Sequence, residues 1–237
     1  MNVAEPPIAV LLPGTGSDDV FVRSVFEVPL AAVGVRAVTP SPVPGPGLAE
    51  AALAALDACA APVLVGGISF GAHLAVEWAL RNPSRCAGLL LALPGWHGEP
   101  GDAPGAVSAR LAASSVRSHG VEGALAKAVA GVPDWLAQEL TRSWRGYGPG
   151  LAESLDAAAE RPAPTLAELA ALEVPAGIAA CVDDPVHPAE VAAEWAAALP
   201  GAAVRTTRLA IVGVDPEALG RAAVLAWLHA GGRPLPS

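Results

Sequence analysis

The 237-residue sequence has few of the residues that mark several common classes of protein. Lys127 is its only lysine, charged residues make up 16% of the chain, and the net charge is −9. Recognition of a nucleic-acid backbone depends on clustered positive charge, and no cluster of lysine and arginine is present. We therefore expect no nucleic-acid partner.

Cysteines and long apolar runs are also scarce. Cys59, Cys86 and Cys181 are widely spaced and form neither a CxxC motif nor a zinc-binding pattern, so we interpret them as free, buried thiols. No apolar run approaches the roughly 20 residues of a transmembrane helix, and the N-terminal segment lacks the basic stretch of a signal peptide. These features predict a cytoplasmic protein without a membrane partner.

Short apolar runs alternate with longer stretches of helical periodicity along the chain. Strands with near-continuous apolar runs, separated by helices, are typical of a parallel sheet that is buried on both faces. The predicted strands are Ile8–Leu12, Val33–Val38, Val63–Val65, Cys86–Leu93, Gly177–Val182 and Val204–Leu209. The predicted helices between and after them are Leu48–Cys59, Phe70–Arg81, Ala189–Leu199 and Pro216–His229. The sequence thus predicts an α/β fold of about six mostly parallel strands flanked by helices.

Residues 96–165 interrupt this alternation. They contain no convincing strand, but helical patterns at Val107–His119, Val121–Ala130 and Pro133–Trp144. We predict a core of residues 1–95 and 166–237 with residues 96–165 as an insertion. Because this segment carries four of the seven Trp and Tyr residues, it is either a small helical subdomain with its own core or a lid whose aromatic rings line an apolar pocket.

The motif Gly67-Ile68-Ser69-Phe70-Gly71 has the pattern G-x-S-x-G. It directly follows the predicted strand Val63–Val65 and opens the predicted helix Phe70–Arg81, which is the strand–turn–helix context of a nucleophile elbow. Such a turn places the serine above the carboxyl edge of the sheet, beside a helix N-terminus that favours developing negative charge. We interpret Ser69 as a nucleophile.

With this motif, the glycine-bearing loop Pro13–Gly16, the helical insertion and the segment Asp183–Pro188, the chain resembles the α/β-hydrolase superfamily over nearly its whole length. The resemblance implies an α/β-hydrolase fold with a helical lid. It also implies a serine nucleophile, an acid and a histidine in that chain order. No cofactor, metal ion or phosphate-binding loop is implied or indicated by the sequence.

The resemblance assigns roles to individual residues. Ser69 matches the nucleophile, and the backbone N–H groups of Phe70 and Thr15 match the two oxyanion donors. Pro13 stands where the family usually has a histidine, which alters the support of this loop but not its donor. Asp184 is the better match to the acid, with Asp183 as the alternative; both could instead cap the following helix.

The histidine of the family is missing from its expected place. It should follow the sixth strand as part of a Gly-His pair, but this chain has Gly213-Val214, and valine accepts no proton. His187 follows Asp184 by three residues at the same edge of the sheet as Ser69, and we expect it to be the base. His97, after the fourth strand, is the alternative base, whereas His73, His119 and His229 are interpreted as structural or solvated.

Three functions remain open on these grounds. The first is a serine hydrolase that cleaves an ester or thioester of a small apolar acyl group through an acyl-enzyme on Ser69. The second is a catalytically impaired protein of the same fold that binds a small apolar ligand, and the third is a lyase or acyltransferase on the same scaffold. The expected state is a monomer or a homodimer.

Overall fold

A computed structural model describes residues 6–60 and 62–233. The strands, in chain order, are β1 (Ile8–Leu12), β2 (Arg36–Val38), β3 (Val63–Ile68), β4 (Cys86–Ala92), β5 (Ala176–Cys181) and β6 (Ala202–Thr207). The helices are α1 (Asp19–Ala31), α2 (Leu48–Asp57), α3 (Phe70–Arg81), α4 (Pro104–Ala128), α5 (Asp134–Tyr147), α6 (Leu151–Glu160), α7 (Leu166–Leu169), α8 (Ala189–Ala198), α9 (Leu209–Val214) and α10 (Glu217–His229).

The six strands form one sheet in the order β2-β1-β3-β4-β5-β6, and every pair is parallel. The predicted fold class is therefore confirmed. The chain moves from β1 outward to β2 and then returns to β3 on the other side of β1. The strand order thus reverses between β1 and β3, and in open α/β sheets ligands bind in the crevice beyond the carboxyl ends of the strands at such a point.

Helices cover both faces of the sheet, as near-continuous apolar strands require. One face packs against α1 and α10, with Phe26, Leu30 and Trp227 buried. The other face packs against α2, α3 and α8 and merges with the interior of the inserted helices, where Leu151 and Leu155 are buried. The insertion therefore shares its core with one face of the sheet.

Several predicted boundaries were wrong. The second strand begins at Arg36 rather than Val33, because the preceding residues form the turn that ends α1, and Gly34 there has a φ of 75°. Helix α1 was not predicted at all. The sixth strand ends at Thr207, and the residues after it form α9 instead of an open loop.

The insertion is helical, as predicted. Its first two predicted helices are both present within α4, and they meet at a kink at Gly120, where a φ of 69° and a ψ of 174° break the helical backbone as the prediction of two separate helices implies. The third predicted helix corresponds to α5, and α6 was not anticipated.

Candidate active site

Ser69 lies in a sharp turn between β3 and α3. Its φ of 54° and ψ of −119° make it one of two non-glycine residues with positive φ in the described part of the chain. The turn is tight because the N-terminus of α3 packs directly on the end of β1. A Cβ atom at Gly67 or at Gly71 would lie 2.5 or 2.3 Å from the carbonyl oxygen of Leu12. Backbone strain of this kind, on the order of 1–3 kcal/mol, is typical of functional sites.

His187 approaches Ser69 from the loop that follows β5. Its Nε2 atom lies 2.9 Å from Ser69 Oγ, and its Nδ1 atom lies 2.9 Å from Asp184 Oδ2. The side chain of Asp184 is 5% exposed and that of His187 is 17% exposed. The structure therefore brings together three of the residues singled out in the sequence, in the order serine, histidine, carboxylate.

Asp184 also fixes the backbone of this loop. Its Oδ1 atom accepts hydrogen bonds from the N–H groups of Val186, at 2.8 Å, and His187, at 3.1 Å. Burial raises the pKa of this carboxyl group, but the hydrogen bond and charge of His187 and the two backbone donors outweigh burial, so the pKa is lowered from its usual value. One ionised carboxylate thus shapes the turn and orients the imidazole ring.

The carboxylate decides which ring nitrogen of His187 carries the proton. Because Nδ1 faces Asp184 Oδ2, this nitrogen is the donor, and Nε2 presents its lone pair to the hydroxyl of Ser69. This arrangement allows Nε2 to accept the proton of the hydroxyl group when Ser69 Oγ attacks an electrophile.

Asp183, the alternative acid, is engaged elsewhere. Its Oδ1 atom accepts a hydrogen bond of 2.7 Å from the N–H group of Leu209, the first residue of α9. Asp183 therefore ties the loop after β5 to the segment after β6. Of the two neighbouring aspartates, Asp184 is the one that contacts His187.

The two predicted oxyanion donors flank Ser69. Phe70 is the first residue of α3, and the first N–H groups of a helix have no partner within the helix. Thr15 lies in the loop after β1, which touches the serine turn: a Cβ atom at Gly14 would lie 3.2 Å from Ser69 Cβ. Both residues thus border the crevice between β1 and β3.

Three other histidines make contacts that do not involve the side chain of Ser69. His97 Nε2 lies 3.2 Å from Glu194 Oε2. His73 is buried and accepts a hydrogen bond of 3.0 Å from the N–H group of Gly95 at Nε2; burial, followed by the charge of His187, lowers its pKa to about 3. The exposed ring of His119 lies near Ser115 O and Lys127 Nζ.

The position where the family resemblance implies a histidine lies outside this arrangement. Val214 ends α9, and the residue is 89% exposed. Trp135 of α5 packs on the neighbouring Gly213 so closely that a Cβ atom there would lie 2.2 Å from Trp135 Nε1. The conformation of residues 209–214 is therefore that of a short helix packed against Trp135.

Two absences hold for the described residues. Across 6–60 and 62–233, no group of three or more His, Cys, Asp or Glu side chains is arranged to hold a metal ion. Within the same ranges, no helix combines the length and the apolar character needed to cross a membrane.

The sheet order, the serine turn after β3 and the helical insertion define the chain as an α/β-hydrolase fold, in agreement with the sequence resemblance. Solved structures share this fold. MenH from S. aureus superposes with a TM-score of 0.74 at 16% identity, covering 96% of this chain and 95% of that one. The enol-lactonase from Burkholderia xenovorans LB400 superposes with a TM-score of 0.71 at 20% identity, covering 97% and 94%.

A thermophilic esterase from Thermogutta terrifontis superposes with a TM-score of 0.64 at 18% identity, covering 95% of this chain and 90% of that one. No protein-family model and no curated protein matches the sequence. At these identities the structural similarity establishes the fold alone.

Sequence reasoning missed one set of residues beside the site. Glu139, Arg142 and Ser143 of α5 contact residues 16–18, which follow the predicted oxyanion residue Thr15. More than 120 positions separate the two segments along the chain. The one related signal in the sequence is Pro13, which stands where the family usually has a histidine and so alters the support of this loop.

Proposed function

We propose that the protein is a serine hydrolase that cleaves esters or thioesters of small apolar acyl groups through an acyl-enzyme on Ser69. The observation that supports this function is the continuous hydrogen-bonded chain from Ser69 through His187 to Asp184. It supplies the base that the sequence lacks at Val214, and it favours a working hydrolase over an impaired binding protein.

The proposed reaction proceeds in two halves. Ser69 Oγ attacks the acyl carbonyl carbon while His187 Nε2 takes the hydroxyl proton, and the N–H groups of Phe70 and Thr15 bind the oxyanion. The imidazolium then gives this proton to the alcohol or thiol leaving group as the acyl–heteroatom bond breaks. In the second half, water attacks the acyl-enzyme, His187 accepts its proton, and the carboxylic acid and free Ser69 are released.

The proposed apolar character of the acyl group is supported by a small apolar cavity between the end of β1 and the start of α3. Its volume is about 30 Å³, and Pro13 and Phe70 both line it. The other walls are formed mainly by α2 and by the proline-rich residues 40–43, including Val43 and Leu48. The residues that line it are mostly apolar, which favours an apolar acyl group.

We propose further that residues 96–165 form a lid over this site. The lid carries Trp135, Trp144 and Tyr147, and α5 of the lid lies against the loop after β1. A hydrophobic cover of this kind would exclude water from the acyl carbonyl and strengthen the hydrogen bonds to its oxyanion.

The test is covalent labelling with a fluorophosphonate, read by intact mass, together with hydrolysis of a short acyl ester. We expect labelling and turnover of the wild type and loss of both in Ser69→Ala and His187→Ala. His97→Ala is the matched control, because its ring pairs with Glu194, and it should behave as the wild type.

The other functions have distinct signatures in this experiment. A folded wild type that is not labelled would contradict the proposal and favour a ligand-binding protein. Labelling of Ser69 without ester hydrolysis would also contradict it and favour acyl transfer or lyase chemistry. Equal labelling of His187→Ala and the wild type would exclude His187 as the base.

A further inference from the structure

The loop after β1 carries one oxyanion donor of the proposed hydrolase, and its conformation has to be held in place. Pro13 has no side-chain hydrogen-bonding group with which to do so. The loop is instead covered from outside the sheet by helix α5 of the insertion. The contacts are polar and specific, and they concentrate on residues 16–18.

The first contacts are made to Gly16 and Ser17. The hydroxyl of the buried Ser143 lies 2.7 Å from the carbonyl oxygen of Gly16 and 2.9 Å from that of Glu139, and its one proton is shared between these two acceptors, of which Gly16 is the nearer. Gly16 has a φ of 74°, and a Cβ atom on it would lie 3.2 Å from Trp144 Nε1. The hydroxyl of Ser17 donates to Glu139 Oε1 at 3.4 Å. These contacts fix the backbone immediately after Thr15.

The second set centres on Arg142. Its guanidinium makes two hydrogen bonds of 2.8 Å to the carboxylate of Asp18, and it also pairs with Glu139. Asp18 in turn caps α1 by accepting the N–H of Phe21 at 3.0 Å. A bidentate arginine–carboxylate pair fixes orientation as well as distance. Arg142 therefore ties α5 to the point where the loop becomes α1.

The charges of this network are consistent with its geometry. Burial raises the pKa of Asp18, but its hydrogen bonds and the charge of Arg142 outweigh burial and lower that pKa overall. Burial raises the pKa of Glu139 in spite of the same arginine. Arg142 thus compensates a partly buried carboxylate pair next to the loop.

We propose that Arg142 and Ser143 are positioning residues for catalysis: they hold the loop after β1 so that the N–H of Thr15 faces the oxyanion. The inference rests on the proposed function. It makes the inserted helix α5 a fixed support of the oxyanion site rather than a cover that moves freely.

The same helix provides a matched control. Arg145 makes two hydrogen bonds of 2.8 Å to Glu122, the same geometry that Arg142 makes to Asp18. The pair Arg145–Glu122 is exposed and lies wholly within the insertion. Loss of Arg145 therefore removes an equivalent ion pair without touching the loop after β1.

The experiment compares Arg142→Gln and Ser143→Ala with Arg145→Gln in the full-length protein. For the first two we expect kcat and the fluorophosphonate labelling rate to fall by up to about 10²-fold, the order expected when a catalytic group is displaced by about 1 Å. KM should stay close to that of the wild type, because the oxyanion contact acts in the transition state. The pH profile should keep its shape, because His187 is untouched.

A double variant, Asp18→Asn with Arg142→Gln, tests whether the pair acts as a unit. The introduced amide keeps an oxygen that can cap α1, so the change at Asp18 removes the charge with little effect on the helix. If the two residues position the loop together, the double variant should lose no more kcat than Arg142→Gln alone. A further loss of kcat in the double variant would show that the two side chains act independently.

Three outcomes would overturn the inference. The first is equal kcat and equal labelling rates for Arg142→Gln, Ser143→Ala and Arg145→Gln, with the wild type active. The second is a fall in Tm with unchanged kcat of the folded enzyme, which would indicate a structural role only. The third, a wild type that is neither labelled nor active, would overturn the proposed function and this inference with it, and is thereby distinguished from the other two.

Discussion

Two neighbouring loops at the carboxyl edge of the sheet differ sharply in what they present to Ser69. The loop after β5 carries Asp184 and His187, and its turn is closed by the carboxylate that also binds the imidazole ring. The segment after β6 folds at once into α9 and ends at an exposed Val214. The first loop reaches the serine, whereas the second is shaped by helix formation.

For the proposed triad, the position of the imidazole nitrogen matters more than the loop that supplies it. The same arrangement of serine, histidine and acid occurs in several chain orders on unrelated folds. Here the resemblance implied a histidine after β6, but the atom that lies 2.9 Å from Ser69 Oγ belongs to the loop after β5. Spacing along the chain is thus a weaker guide than position in space.

Removal of the imidazole ring of His187 should have the largest effect on kcat. His187→Ala should lower kcat by about 10⁶-fold, the scale found for the histidine of a serine-hydrolase triad. Adding Val214→His to this variant should restore nothing, because Val214 is 89% exposed and lies at the end of α9. The measurement is kcat for a short acyl ester, and recovery in the double variant would show that the loop after β6 still reaches the site.

A smaller effect is expected when only the charge of the acid is removed. Asp184→Asn keeps an oxygen for the N–H groups of Val186 and His187 but no longer orients the protonated Nδ1 as an anion does. We expect kcat to fall by about 10⁴-fold, the order found for the acid of such triads. Stopped-flow or steady-state hydrolysis, with a circular dichroism spectrum to verify folding, checks this expectation. An unchanged kcat would exclude Asp184 as the acid.

Asp184→Asn should also change how the free energy of unfolding depends on pH. The pKa of Asp184 is lowered in the folded protein, so its ionised form stabilises the fold above the ordinary value of 3.8, and that contribution is lost as the pH falls through the folded pKa. The acid limb of the free energy of unfolding should therefore be shallower in Asp184→Asn than in the wild type. Equal slopes would contradict the lowered pKa.

The smallest effect is expected for Asp183, whose loss should change the stability of the protein and not its kcat. Asp183→Ala removes the hydrogen bond to the N–H of Leu209 at the start of α9 and should lower the free energy of unfolding by about 1 kcal/mol, as loss of a helix cap does. Its kcat should remain close to that of the wild type. Urea unfolding and ester hydrolysis measure the two quantities, and a large loss of kcat would make Asp183 part of the site.

Local sequence signals predicted the parts of the molecule that depend on local physics. The helix Phe70–Arg81 was predicted to the residue, because the G-x-S-x-G turn fixes its beginning and Asn82-Pro83 its end. Apolar runs of strand length located β1, β4 and β5 to within a residue or two. The fold class followed from these elements and is confirmed.

Features that depend on contacts between distant segments could not be predicted. Helix α1 was not predicted, because the proline at position 29 within it is typical of a helix end or a break. Its N-cap, Asp18, is visible in the sequence but is not sufficient alone to predict a helix. The 2.9 Å approach of His187 to Ser69 spans 118 positions along the chain. The contacts of α5 with residues 16–18 span still more, and no short motif encodes them.

The turn that contains Asp184 and His187 has a consequence for how the proposed catalytic unit is assembled. In a triad drawn from three separate loops, two independent distances must be maintained by packing of the whole domain. Here the distance between acid and base is set within four consecutive residues, 184–187, by hydrogen bonds within one turn. Packing of the domain then has to maintain only one further distance, that between His187 and Ser69, and β6, at the edge of the sheet, holds no group of the proposed triad.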